Sequence, residues 1–222
     1  GVYMRSVDGI IGGLVALIFT ALIPRNPRGM AIKDADKLFD AFLGSILALK
    51  RALLESNVAV ADEALNEVRR TQPLIDNWRM SLDSAISISR ISPFMRKFRD
   101  DLTGQVRVLR GTDLAMRNLR VVVRRIDFLI RDGQKRPYLA DLLDQIAGGV
   151  TDLAEGVDDL AQRHKAQEKF VEIIHQLDPK QHGIADQLQE ASVLLLLRPM
   201  LIDLLCASGM SEDDARAELP KI

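Results

Sequence analysis

Residues 94–131 read FMRKFRDDLTGQVRVLRGTDLAMRNLRVVVRRIDFLIR, and a single seam runs through them in steps of three and four. It passes through Met95, Phe98, Leu102, Gln105, Leu109, Thr112, Met116, Leu119, Val123, Ile126 and Ile130. That period puts the seam on one face of a helix, and its persistence marks coiled-coil-like packing in a bundle. Ser92-Pro93 starts the helix, because proline is tolerated in a first turn, and Asp132-Gly133 stops it. Strand signals of alternating β-branched residues are missing, and aromatics are only 5% of the chain. The fold class that follows is all-α, with an antiparallel bundle of long helices.

The neighbouring segments repeat the pattern. After Pro137 a second regular seam runs Leu139, Leu143, Ile146, Val150, Leu153, Val157, Leu160, read as one helix. Gly148, Gly149 and Gly156 weaken it by about 1 kcal/mol each relative to alanine, unless they permit close contact. Upstream, Phe39, Phe42, Leu43, Ile46, Leu47, Leu53 and Leu54 form a stripe that ends near Asn57. A helix over about 59–89 follows, kinked where Pro73 interrupts it, with Trp78 as a core anchor. A last long helix covers about 184–207. Its 13 mostly apolar residues carry Arg198, Pro199 and Asp203, which reads as too short and too charged for a membrane span. Ser211-Glu212-Asp213-Asp214 opens a short capped helix.

Charge separates along the chain. Residues 94–136 hold 12 basic and five acidic side chains, whereas residues 137–162 hold six acids and no base. A basic helix followed through a short turn by an acidic one predicts an antiparallel pair with facing charges. Exposed pairs contribute only about 0.2–1 kcal/mol each, so the separation bears on register and partner choice. Contact of the basic helix with anionic lipid is a competing expectation. Nucleic acid is excluded by a formal charge of −1 and by the lack of interleaved aromatics.

The N-terminal segment is of another kind. Residues 9–24 read GIIGGLVALIFTALIP, 16 uncharged residues with Asp8 before them and Arg25 and Arg28 after. As a helix they measure about 24 Å, slightly short of a full span, and a locally thin bilayer absorbs the difference. The run is therefore read as a transmembrane helix. Gly9 with Gly13, and Gly12 with Ala16 and Thr20, form two rows of small residues that favour packing against other membrane helices. Arg25, Arg28, Lys33 and Lys37 place the C-terminal side in the cytoplasm. Residues 1–29 are thus the membrane helix with its flank, and 30–222 a cytoplasmic helical domain. Because the chain opens with Gly1, it is read as the C-terminal piece of a longer protein, with membrane lipid, other spans and a homo-oligomer as expected partners.

No catalytic or metal-binding pattern is present in the sequence. His164, His175 and His182 have no second ligand at metal spacing, Cys206 is alone, and Asp100-Asp101 and Asp158-Asp159 diverge on a helix. There is no G-x-S-x-G, P-loop, H-E-x-x-H or C-x-x-C. A non-enzymatic protein without cofactor or metal is expected.

The segment from Arg5 through Asp8, Gly12 and Gly13 to Pro24 resembles the last membrane helix of the fusaric acid resistance (FUSC) and aromatic acid exporter family, with its R-x-x-D-x-x-x-G-G signature. The close, Gly209 to Ala215 with Leu219-Pro220, is similar to the tail of actinobacterial members. The resemblance implies an inner-membrane exporter of aromatic or other weak organic acids, driven by the proton gradient, whose helical domain serves assembly or regulation. It marks Arg5 and Asp8 as transport candidates, because an ionisable residue at a membrane helix is a functional candidate by default. The rival expectation is a membrane-tethered helical scaffold that binds a protein partner or the lipid surface.

Overall fold

The computed structural model describes Gly13 and residues 26–221. Among the described residues the regular structure is all helical, with no strand. The candidate membrane run, with Arg5, Asp8, Gly9, Gly12, Ala16 and Thr20, lies outside the described residues. Gly13 is helical and exposed.

Helix α1 (Pro27–Glu55) begins three residues before the domain boundary expected from sequence. Asn26 caps it by accepting from the Gly29 N–H at 2.9 Å, and Pro27 occupies the first turn. Ser56 ends it in the left-handed region at φ 54°, and Asn57 caps the next helix. The expected kinked helix over 59–89 is instead two helices, α2 (Val58–Arg69) and α3 (Gln72–Ile91). Proline has no N–H and clashes with the preceding turn, so Pro73 fits only the start of a new helix. A 3-10 segment (Pro93–Phe98) then leads into α4 (Arg99–Leu129), and a second short one (Ile130–Asp132) ends at Gly133 with φ 77°. The start expected at residue 94 is therefore a tighter 3-10 lead-in.

The acidic seam is also divided. Helix α5 (Pro137–Glu155) stops at Gly156, and a separate α6 (Leu160–Ile174) follows, capped by Asp159 on the Ala161 N–H at 2.8 Å. Leu160 is exposed rather than part of the seam. The buried Arg163 fixes this break by donating to the Gly156 and Val157 carbonyls at 2.9 and 3.0 Å. Those carbonyls would otherwise be orphaned at the helix end. Helix α7 (Leu188–Ser208), with Pro199 inside it, and the short α8 (Glu212–Ala217) complete the chain.

The described helices share one hydrophobic core running from Ala31 to Ala215. Helix α4 packs most extensively on α7, and α1 sits against α5, α3 and α2. Helix α6 lies on α5 and α7. From Leu102 onward every seam residue expected on α4 is buried, including Gln105 and Thr112. Trp78 is fully buried beside Phe39, their ring centroids 6.0 Å apart. Two glycines permit close approach: a Cβ on Gly111 would lie 2.6 Å from the Asp203 carbonyl and Ala207 Cβ, and one on Gly149 would lie 2.4 Å from Phe170.

By length and composition α7 is capable of crossing a membrane, with 21 residues and a mean hydropathy of 1.8. The sequence count of 13 apolar residues understated it. The same hydropathy suits a core helix, and 56% of its most apolar stretch is buried inside the fold, against α4 and α6.

Candidate functional site

Two charged clusters mark the two ends of the helical body. At the near end, where α1 begins, Arg28 Nε donates to Asp101 at 2.8 Å and Nη2 to Asp158 at 3.3 Å. Its guanidinium lies 5.1 Å from the Phe98 ring centroid, and Lys97 lies over the same ring at 5.0 Å, in cation–π range. Arg28, Phe98, Asp101 and Asp158, with Leu160 and Arg163, line an open cleft. Burial lowers the Arg163 pKa, while the Asp101 and Asp158 carboxylates oppose that shift. Met30 and Ile91 are exposed near this end.

At the far end Arg136 is only 5% exposed and ties four elements together. Its guanidinium pairs with Asp132, reaches Glu190 at 3.1 Å and donates to the Leu129 and Gln134 carbonyls at 3.3 and 2.7 Å. Its own N–H donates to the Leu53 carbonyl at 3.0 Å, and the Tyr138 hydroxyl donates to Glu190 at 3.0 Å. The hydrogen bond from Arg136, then one from the Gln134 N–H, lower the Asp132 pKa to about 2. Ser56 also bonds the Ile130 carbonyl at 2.9 Å. Helices α1 and α4 therefore both start at the near end and finish at the far end.

The basic and acidic helices do not face each other. Among the described residues no ion pair joins α4 to α5. Two acids of α5 find partners on its real neighbours: Asp144 meets Lys50 of α1 at 2.8 Å, and Asp152 is held by Lys165, at 2.7 Å, and Lys169 of α6. Burial alone would raise the Asp152 pKa, but the two lysines outweigh it and hold it below the ordinary value. The arginines of α4 turn elsewhere. Arg99 donates to the Ser89 carbonyl and Arg120 to the Val68 carbonyl, while Arg117 forks onto Asp113 of its own helix. Arg79 of α3 also reaches Asp113, at 3.3 Å.

The histidines are engaged locally or exposed. His175 pairs with Glu218 at 2.7 Å, His182 meets the Gln176 carbonyl at 2.7 Å and stacks on Tyr138, and His164 is exposed. Among the described residues no three His, Cys, Asp or Glu side chains are gathered for a metal ion. Reading the sequence missed the Arg136 hub and the Arg28 cluster. The only signals for them were an arginine beside Pro137 and one beside Pro27.

No family model matches the chain. No solved structure matches it either. An uncharacterized protein of Corynebacterium glutamicum is 26% identical over 224 residues, which cover 97% of this chain. The chain spans 57% of the length of that curated relative.

Proposed function

We propose that the chain is the C-terminal portion of a FUSC-like inner-membrane exporter of aromatic or other weak organic acids. In this reading residues 9–24 form its last span, and the helices from Pro27 onward form a cytoplasmic antiparallel bundle with coiled-coil-like packing. The role of the bundle is assembly or regulation rather than catalysis. The observation that carries the reading is the junction. Arg28 lies four residues beyond the apolar run and is built into the bundle by Asp101 and Asp158.

Deleting the gene should raise cellular accumulation of an aromatic carboxylic acid such as benzoate, and restoring it should reverse the effect. Unchanged accumulation across a panel of such acids would overturn the export reading. In the intact protein Asp8→Asn should abolish efflux with expression unchanged; retained efflux removes Asp8 from the mechanism.

The second reading, a membrane-tethered scaffold, is favoured by one observation. Leu114, Val121 and Phe128 of α4 remain exposed at seven-residue intervals among arginines. A scaffold predicts unchanged acid accumulation and association through that face.

A further inference from the structure

We propose that the basic stripe of α4 and the acidic stripe of α5 meet between two copies of the chain. This deepens the assembly role above and does not require export.

The outward face of α4 repeats every seven residues. Arg107, Leu114, Val121 and Phe128 form one row, and Arg110, Arg117 and Arg124 the row between. The three apolar members are 39%, 47% and 54% exposed. Among the described residues Arg107, Arg110 and Arg124 make no ion pair. This is a helix–helix seam left without its partner helix.

Helix α5 presents the complement. Asp141, Asp144, Gly148, Thr151 and Glu155 follow the same three–four spacing on its outward face. Asp141 and Glu155 make no ion pair among the described residues. Gly148 and Thr151 leave a shallow centre; a Cβ on Gly148 would meet only the flexible Lys169 end, at 3.5 Å. From Arg110 to Arg124, and from Asp141 to Glu155, the separation is the same two heptads, about 21 Å of helix. Laid together, the outer charges pair, and the large apolar residues of α4 cover the small ones of α5.

These stripes cannot meet within one copy. The α4 stripe lies between α3 and α7, whereas the α5 stripe is bounded by Lys50 of α1 and by Lys169 of α6. A second copy satisfies both. Two α4 stripes placed face to face would set arginine against arginine, so α4 of one copy meets α5 of another, reciprocally in a two-fold dimer or head to tail in a ring or open chain. A lipid surface at the near end does not lie along a stripe that runs towards the far end. Charge complementarity thus selects a second copy.

The test uses the full chain in detergent, with two variants whose substitutions fall on exposed, unpaired positions. One carries Arg110→Glu with Arg124→Glu, the other Asp141→Lys with Glu155→Lys, and circular dichroism checks their folding. The parent should self-associate by light scattering. Each variant alone should associate at least about tenfold more weakly, because like charges then face each other. Mixing the two should restore association between differently tagged copies, and a chain carrying all four changes should associate by itself. A monomeric parent, a variant that associates like the parent, or a mixture without recovery overturns the proposal. Association with an acidic protein in place of a second copy overturns it as well. Loss of efflux activity leaves it standing.

Discussion

Helices α4 and α5 carry opposite charge, follow one another in sequence and resolve that charge in opposite ways. Two of the four acids of α5, Asp144 and Asp152, are met by lysines from the helices beside it, and Asp152, nearly buried, holds two of them. The arginines of α4 meet backbone carbonyls, acids on their own helix, or solvent. Segregated charge along a sequence therefore does not identify its own partner. The packing of apolar faces chooses the neighbours first, and the charges use whatever those neighbours supply.

The largest effect is expected at the joint between the two helices. Arg136→Met leaves Glu190 and Asp132 without their cation, and Glu190 is largely buried. Removing one partner of a buried pair costs about 3–5 kcal/mol, so the urea midpoint should fall sharply. A shift no larger than that of a surface variant would mean the hub is not structural.

Next in size is a contrast inside α5. Gly149→Ala drives a Cβ into Phe170 and should destabilise by about 1–3 kcal/mol. Gly148→Ala, on the open side, should instead stabilise by about 0.5–1 kcal/mol. Equal effects of one sign would place α6 elsewhere.

Acid titration separates the helices by a different means. Asp152 and Asp132 both have folded pKa values below the ordinary carboxylate value. Their contribution is fully present above about pH 4 and is lost as pH falls towards 2, since the unfolded chain then binds more protons. Asp152→Asn should flatten that part of the stability–pH curve, whereas Arg124→Ala should leave its shape unchanged. The smallest expected effect is that of Arg107→Ala or Arg124→Ala on the stability of the single chain, within about 0.5 kcal/mol. A larger loss would show that these arginines are already engaged within the copy.

How much of this was legible in the sequence differs along the chain. The α4 seam from Leu102 to Ile130 was readable, because a three–four period over this length leaves one face to bury. The stripe of α1 was readable only in part, since Leu47 and Leu54 turn outward. At Pro73 a kink was read where the chain breaks fully at Thr71, and the break at Gly156 was not foreseen. The first is set by Pro73 and held by Arg120 reaching Thr71 and Val68, the second by Arg163 folding back onto Gly156 and Val157. The carbonyl partners of single arginines leave no periodic trace. The Arg28 cluster was hidden as well, since Arg28 lies 73 residues from Asp101 and 130 from Asp158. The charge blocks were visible, but their pairing depended on a neighbour relation that only packing reveals.

The proposed function has the helical body joined to a membrane span formed by residues 9–24, on the cytoplasmic side. The direct measurement is alkaline carbonate extraction of cell membranes, followed by protease treatment of right-side-out and inverted vesicles. The protein should stay in the membrane pellet, and the region after Pro27 should be digested only in inverted vesicles. Release into the supernatant, or digestion in right-side-out vesicles, would contradict it.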